Sequence, residues 1–380
     1  MNFLFACGGT AGHINPALAV AEELRRTLPD SKILFVGAGN VMEKSLIPNA
    51  GYELANIRMS GLKRGFSPGA LIYNVKTARN LVAASGETAR IIREFKPQAV
   101  IGTGGYICYP VLKKAARMKI PTIVHESNAI PGLTTKLLST IVDKVLVSFP
   151  GLEKNYRQPD RVVFTGTPVR GGFEALEEKE HIPEHDRKPL VLSFWGSLGA
   201  ARMNEIIIEC MKLNIKTGEF NHIHAAGRLC DAEEMNSRLR HACEMEELPP
   251  GIEIKEYIDD IQSLMAQADI VLCRAGGSTI AELTAMGKPA VLIPSPYVSN
   301  NEQVKNARQL LKAGGAVMLE EKNCTGKLLF DTVSSMLKDE KNLMSMSAAQ
   351  KAIGSPDATE KITKMIIAMA EQNNAISNKI

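Results

Sequence analysis

Four short stretches of the 380-residue chain place glycine and small or hydroxyl-bearing residues directly after an apolar run: GGTAGH (8–13), GTGGY (102–106), WGSLGA (195–200) and RAGGST (274–279). Glycine at a strand-to-helix junction tolerates positive φ and lets the backbone approach a ligand closely. The first N–H groups of the following helix then offer partial positive charge to a phosphate. Any α/β protein needs small residues in its turns, so one such stretch says little. Four of them, two in each half, point to a phosphate-bearing ligand. His13 closes the first stretch at a helix start, where it is either a solvated first-turn side chain or a general base, since a free imidazole titrates near ~6.5. Glu126 and Asn128 end another apolar run of the same half and serve either in loop hydrogen bonding or in the site, with Glu126 as the alternative base. In the other half Thr279-Ile280-Ala281-Glu282 fits the T-x-x-E capping box of a helix start. Gln303 and Asn306, spaced i,i+3, share one face of a predicted helix. His222 and His224 share one face of a predicted strand, but no third ligand follows at a metal-site spacing, and they read as structural.

Several ligand classes lack their patterns. Gly8-Gly9-Thr10-Ala11-Gly12 does not have the dinucleotide spacing, and the second predicted strand ends in Gly37-Ala38-Gly39-Asn40 rather than an acidic residue, so NAD or FAD is not expected. Neither G-x-x-x-x-G-K-[ST] nor G-x-S-x-G occurs, which removes a P-loop NTPase and an α/β-hydrolase. There is no D-x-D, and Asp259-Asp260 reads as a helix cap, so a metal-chelated diphosphate is not expected either.

The elements that must position these residues alternate along the chain. Apolar runs at 2–6, 32–37, 52–57, 98–102, 121–125, 144–149 and 162–166 read as strands, with helical segments such as 14–27 and 69–95 between them. After the charged stretch 174–189 the pattern restarts with strands at 190–195, 222–226, 252–257, 269–273, 289–294 and 316–320. Helical periodicity returns at 325–337, 340–351 and 357–373, and the final NNAISNKI reads as a frayed tail. Such alternation predicts parallel sheets covered by helices on both faces, in two domains of the same kind. Apolar residues at 45% and charged residues at 23% are ordinary globular composition and exclude a disordered or disulfide-stapled chain. Seven cysteines without C-x-x-C spacing read as buried thiols of a reducing compartment. No run approaches ~18 apolar residues and no signal-peptide pattern opens the chain, so a soluble or peripheral cytoplasmic protein is expected. Net charge is +4, but residues 1–168 hold 21 Lys and Arg against 11 Asp and Glu, which suggests an anionic partner for that half. Aromatic content of 5% and the lack of a basic-aromatic run argue against nucleic acid.

The blocks 8–24, 102–106, HESNAIPGLTTKLL (125–138), GTPVR (166–170), 195–200, YIDDI (257–261), CRAGGSTIAEL (273–283), GKPAVLIPSP (287–296) and EQVKNA (302–307) resemble, in order, those of the MurG family of peptidoglycan glycosyltransferases. The resemblance implies the GT-B fold, two Rossmann-like domains facing across a cleft. Residues 1–168 would form the acceptor-binding, membrane-associating domain and 169–356 the donor-binding domain, with 357–380 a helix returning to the first. It further implies an inverting transfer of N-acetylglucosamine from UDP-N-acetylglucosamine to the C4 hydroxyl of undecaprenyl-pyrophosphoryl-N-acetylmuramoyl-pentapeptide, with no cofactor required. Another UDP-sugar enzyme of the same fold, such as a lipid glycosyltransferase or a sugar 2-epimerase, is the neighbouring alternative. A non-catalytic nucleotide-sugar-binding subunit is the alternative from another class.

Matched position by position, the resemblance makes His13 the base that deprotonates the acceptor, with Glu126 as alternative. Thr10, Gly12, Asn128, Arg170, Ser197, Gly277, Ser278 and Thr279 would serve donor binding, Arg170 and Ser197 at the diphosphate. The backbone of Ile258 would read uracil, Glu282 would accept from the ribose hydroxyls, and Gln303 and Asn306 would hold the donor sugar. Three positions depart from the family: Ala11 and Trp195 stand where glycine is common, and Glu302 where His or Gln is common. The acceptor's lipid implies a peripheral place on the cytoplasmic face of the bacterial cell membrane, among other cell-wall synthesis proteins as candidate partners. In GLKRGFSPGALIYNVK (61–76), Lys63, Arg64 and Lys76 flank Phe66, Leu71, Ile72 and Tyr73, which suits contact with an anionic inner-leaflet surface. The plainer reading makes Leu71, Ile72 and Val75 the core face of a helix beginning near Pro68.

Overall fold

The computed structural model describes residues 1–61, 67–170 and 187–377, and the chain divides into two units, 1–171 with 355–380, and 172–354. In the first unit strands and helices alternate: β1 (Asn2–Ala6), α1 (Ala11–Thr27), β2 (Lys32–Gly37), α2 (Val41–Asn49), β3 (Glu53–Asn56), α3 (Pro68–Phe95) and β4 (Ala99–Gly102). The series continues with α4 (Cys108–Arg117), β5 (Thr122–Glu126), α5 (Leu133–Leu138), β6 (Lys144–Val147) and β7 (Val162–Phe164). All seven strands are parallel, in the order β3-β2-β1-β4-β5-β6-β7. Their near-continuous apolar character follows from burial on both faces. Phe3 and Phe5 of β1 and Phe35 of β2 are fully buried, with Phe5 and Phe35 stacked 5.2 Å apart, against Ile14, Leu18 and Leu24 of α1.

The second unit repeats the plan with β8 (Leu190–Phe194), α6 (Ala201–Thr217), β9 (Asn221–Ala225), α7 (Ala232–Cys243), β10 (Ile252–Lys255), α8 (Ile261–Gln267) and β11 (Ile270–Cys273). It closes with α9 (Gly277–Met286), β12 (Ala290–Leu292), α10 (Glu302–Ala313), β13 (Ala316–Met318), α11 (Gly326–Leu337) and α12 (Glu340–Ile353). Its six parallel strands run β10-β9-β8-β11-β12-β13. The last helix, α13 (Ala358–Ser377), belongs to the first unit, where Ile362, Ile366 and Ala370 join the core around α1 and Thr359 Oγ1 donates to the Val169 carbonyl at 3.0 Å. The frayed tail expected from residue 373 is helix as far as Ser377, because no glycine or proline interrupts the segment.

Strand order reverses direction between β1 and β4 in one sheet and between β8 and β11 in the other. Open α/β sheets bind ligands outside the carboxyl ends of their strands at such switch points. The four glycine turns follow β1, β4, β8 and β11, so each pair flanks one switch point.

All seven cysteines are free, five of them buried. His222 and His224 are structural: both are fully buried, and Ser193 Oγ lies 2.8 Å from His222 Nε2 and 2.8 Å from His224 Nδ1. Asp260 caps α8 by accepting from the Ser263 amide at 3.1 Å.

Burial pushes both buried imidazoles down to about 3, below the ~6.5 of an unfolded histidine. The unfolded chain therefore takes up protons first, and stability present above ~6.5 is lost as pH falls. Each should remove on the order of 1–2 kcal/mol by about pH 5. Melting temperatures between pH 7 and 5 should fall accordingly, and His222→Gln, which takes up no proton, should flatten the slope; an unchanged slope would discard this account.

Candidate active site

In the first unit the turn after β1 carries Thr10 at the N-cap of α1 and His13 in the first helical turn. Thr10 makes no cap bond, and its hydroxyl lies 3.4 Å from His13 Nδ1. His13 Nδ1 sits 2.9 Å from the Gly8 carbonyl oxygen. A carbonyl only accepts, so Nδ1 carries the hydrogen and the lone pair of the neutral ring resides on Nε2. That is the tautomer a general base requires. The turn after β4 packs against the ring: a Cβ on Gly104, whose φ is +123°, would stand 2.3 Å from His13 Cδ2. Thr103 Oγ1 also donates to the His13 carbonyl at 2.7 Å, tying this turn to α1.

Glu126, at the end of β5, is buried and fully engaged. It accepts from the Asn128 amide (3.1 Å), Asn128 Nδ2 (3.0 Å), the Gly132 amide (3.0 Å) and Thr135 Oγ1 (2.6 Å). Four donors use the acceptor sites of a carboxylate, so Glu126 and Asn128 organise the loop into α5, and the alternative-base reading of Glu126 loses its geometric basis. Arg170 is ion-paired with Glu22 of α1 inside the first unit.

In the second unit Ser197 lies in the turn after β8, where its carbonyl accepts from the Arg228 amide at 3.1 Å. This turn approaches the end of β9 so closely that a Cβ on Gly199 would be 2.1 Å from the Ala226 carbonyl oxygen. Trp195 turns its indole into the core, only 4% exposed, so its bulk does not obstruct the glycine turn. Ile258 is buried beside Tyr257, over whose ring the Arg228 guanidinium stacks at 4.1 Å.

The turn after β11 opens α9 with Gly276 as N-cap and Gly277, Ser278 and Thr279 as its first turn, whose N–H groups have no acceptor within the helix. The expected capping box is absent: Thr279 is the third helical residue, Glu282 lies a turn further on, and the N-cap, Gly276, has no side chain to cap the helix. Burial, without a compensating cation, pushes the Glu282 carboxyl up to about 7. Gln303 Oε1 accepts from the Ser295 amide at 2.8 Å and so holds the loop between β12 and α10. Asn306 is fully buried, with Nδ2 donating to the Ala275 carbonyl at 3.1 Å, so its side chain ties α10 to the glycine turn. Glu302 is the first residue of α10, where a carboxylate suits the helix dipole.

A cavity of about 420 Å³ opens in this unit among Trp195, Ala200, Arg274, Tyr297, Gln303 and Glu321. Arg274 and Glu321 were not singled out from the sequence, although Arg274 stands within the glycine motif. Its buried guanidinium bonds Glu321 at 2.6 Å and the Ile293 carbonyl at 3.0 Å, with Trp195 beside it. Glu43 was missed too. It is fully buried and bonded to Gly9, Gly39 and Asn40, and the Asn40-x-x-Glu43 capping box at the start of α2 was its readable signal. Among the described residues no group of three His, Cys, Asp or Glu side chains could hold a metal.

Of the candidate membrane residues, Lys63, Arg64 and Phe66 lie outside the described residues, as do the side chains of Leu71 and Lys76. α3 begins at Pro68, but Ile72 is 73% exposed, against the core-face reading, and Tyr73 is half-buried.

Comparison with known proteins gives two family matches: the glycosyltransferase family 28 N-terminal domain over residues 3–147 and the family 28 C-terminal domain over 190–362. A protein of Acetivibrio thermocellus is 41% identical over 371 residues, covering 96% of this chain and 97% of its own. It is named UDP-N-acetylglucosamine–N-acetylmuramyl-(pentapeptide) pyrophosphoryl-undecaprenol N-acetylglucosamine transferase. A Thermoanaerobacter protein of the same name is 39% identical over 96% of this chain and 99% of its own. Among solved structures, MurG of Acinetobacter baumannii superposes with a TM-score of 0.73 at 23% identity, over 97% of this chain and 99% of that one. The UDP-GlcNAc 2-epimerase of Neisseria meningitidis reaches 0.67 at 15% identity, over 97% and 100%. Both structures share the GT-B fold with this chain; likeness at that level does not distinguish their activities.

The raised Glu282 carboxyl has a consequence for stability. Its folded value near 7 exceeds the ~4.5 of an unfolded glutamate, so its contribution is intact below ~4.5 and is lost as pH rises through about 7. Glu282→Gln should therefore gain thermal stability relative to the parent by roughly 1–3 kcal/mol between pH 5 and 8. A difference independent of pH in paired melts would contradict the burial argument.

Proposed function

Because the chain belongs to glycosyltransferase family 28, and within it to the UDP-N-acetylglucosamine–N-acetylmuramyl-(pentapeptide) pyrophosphoryl-undecaprenol N-acetylglucosamine transferases, we propose a residue-level account of how it performs that transfer. It is a UDP-N-acetylglucosamine-dependent hexosyltransferase of peptidoglycan synthesis. The observation that carries this is 41% identity to a transferase of that name over 96% of the chain.

The acceptor hydroxyl, at C4 of the muramoyl sugar, gives its proton to His13 Nε2, the ring nitrogen left with a lone pair when Nδ1–H is donated to Gly8. The oxygen attacks the anomeric carbon of the donor sugar as the bond to UDP breaks on the opposite face, and one displacement turns the α-linked donor into a β-1,4 product. Charge develops on the departing diphosphate. The Ser197 turn and the first turn of α9, Gly277–Thr279, supply N–H groups and hydroxyls to it, without a metal or other cofactor. Glu282 accepts from the ribose hydroxyls, which explains why an unpaired carboxyl is tolerated there: two hydroxyl donors stabilise its charged form. Ile258 presents backbone to uracil, Gln303 faces the sugar, and Asn306 holds the turn beneath them. Residues 1–168 bind the acceptor, 169–356 the donor, and 357–380 complete the first domain.

The lipid-linked acceptor places the enzyme peripherally on the cytoplasmic face of the cell membrane, beside other cell-wall synthesis proteins. No helix among the described residues is long and apolar enough to cross a membrane. The exposed Ile72, in the same segment as Lys63, Arg64 and Phe66, supports contact with anionic lipid through residues 61–76.

Purified protein should transfer N-acetylglucosamine to a short-chain acceptor analogue, with or without EDTA. Preference for UDP-glucose, or release of N-acetylmannosamine, would sink the substrate assignment, and loss in EDTA restored only by a divalent ion would sink the metal-free site. His13→Ala should lower kcat by ~10²-fold or more with donor affinity retained; a near-normal kcat removes His13 as base. Cosedimentation with anionic vesicles should fall with salt and weaken when Lys63, Arg64 and Phe66 are changed together to Ser, while equal binding to neutral vesicles would place the contact elsewhere.

A further inference from the structure

The Gly8–Gly9 peptide group is held from both ends. Its N–H, on Gly9, donates to Glu43 Oε1 at 3.1 Å, and its carbonyl oxygen, on Gly8, accepts from His13 Nδ1 at 2.9 Å. A single peptide plane therefore connects a fully buried carboxylate to the imidazole that serves as base. We infer that Glu43 is a positioning residue for His13, acting through the Gly8–Gly9 peptide as a carboxylate ordinarily acts when it bonds a catalytic histidine directly. The inference rests on the reading of His13 as the base and deepens it.

Three observations bear on it. First, the carboxylate is built into place. Oε1 also accepts from Asn40 Nδ2 at 2.6 Å, and Oε2 accepts from the Gly39 amide at 2.7 Å and the Asn40 amide at 3.2 Å. Four N–H groups donating to its two oxygens fix the carboxylate in place. Second, the approach is purchased with missing side chains: a Cβ on Gly8 would stand 2.2 Å from Glu43 Oε1, one on Gly37 2.7 Å from Oε2, and one on Gly105 2.4 Å from the Gly8 oxygen. Helix capping alone needs only Asn40 and Glu43. It does not require the carboxylate to reach across to the loop that carries His13. Third, the peptide is oriented for transmission: a negative charge at its N–H end polarises it so that the carbonyl becomes a stronger acceptor, as in chains of hydrogen bonds generally. The stronger acceptor holds hydrogen on Nδ1, keeps the Nε2 lone pair available, and stabilises the imidazolium formed when Nε2 takes the acceptor's proton.

The test uses nitrogen-15 spectra of the full-length protein, with His13 assigned by comparison with His13→Ala. Four ionisable groups near the turn are moved away from the range in which an imidazole titrates. Burial pushes His125 down to about 4, Cys108 up to about 12, and Cys7 and Tyr106 upward. In the parent protein neutral His13 should carry its hydrogen on Nδ1, and the Gly9 amide signal should move in step with His13 protonation. A hydrogen on Nε2, or a Gly9 amide indifferent to that titration, overturns the inference without recourse to any variant. Glu43→Gln should shift the neutral ring toward the Nε2–H form and lower kcat by about tenfold or more, leaving the donor KM within about twofold. Asn40→Ala breaks the α2 cap but spares the Gly9 bond, so it should lower the melting temperature with the tautomer unchanged. If Asn40→Ala alters the tautomer as Glu43→Gln does, Glu43 acts only through helix capping. These readouts stand apart from the functional reading: an inactive parent protein with the Nδ1–H tautomer would refute the transferase chemistry, whereas an active one with an indifferent tautomer would refute the role of Glu43.

Discussion

A peptide group can be gripped closely by neighbours only where no Cβ stands in the way, and both glycine-turn regions depend on that constraint. Around β1, Gly8, Gly37, Gly104 and Gly105 each leave a space that a methyl group would fill, and Glu43, the Gly8 carbonyl and His13 occupy those spaces. Around β8, Gly199 and Gly227 let two turns meet backbone to backbone, a Cβ on either falling 2.1 Å from the other segment. The positive φ at Gly104 (+123°), Gly105 (+87°) and Gly199 (+78°) adds a conformational reason to the steric one. Parallel strands end here together, so the turns that follow neighbouring strands are forced into contact, and their polar backbone must be satisfied among themselves or by a ligand.

Buried charge is treated in two ways. Glu43 and Glu126 are each surrounded by four donors, and Arg274 is neutralised by Glu321 and a carbonyl, so these groups hold loops in one conformation. Removing a partner from any of them would strand a charge in a low-dielectric site. Glu282 differs: it is half-buried, and desolvation alone raises its carboxyl to about 7. The contrast separates two carboxylates whose donors lie within the protein from one for which burial is the only cause of its shift.

Much of this was legible from residue pattern. The alternation of apolar runs with helical segments is local and periodic, and the strands and helices follow it closely, since parallel strands buried on both faces must be apolar throughout. The four glycine turns were legible for the same reason, because a strand-to-helix turn carries its own chemistry. Where local pattern misled, a longer-range contact had taken over. Thr279-x-x-Glu282 matched a capping box, yet the helix starts two residues before Thr279, at Gly277, behind a glycine cap. The partner of Arg170, Glu22, lies 148 positions away and was not readable from the sequence. Asn306 shared a helix face with Gln303, and that face turned out to be packed over the Ala275 carbonyl.

The sequence by itself determined the type and order of the elements, the placement of small residues where backbone must approach backbone, and membership in its family. Each is written in neighbouring residues or in blocks that keep their order. Tertiary structure alone decided which polar groups are spent on one another. Glu126 and Glu43 are both acidic residues in the same half, and although a capping box marks Glu43 locally, nothing local shows that it reaches the Gly9 amide. One closes its own loop; the other reaches 34 residues back to the peptide that holds His13. Hydrogen bonds and burial depend on distances between residues far apart in the chain, and only the folded sheet, by bringing the ends of β1, β2 and β4 together, sets those distances.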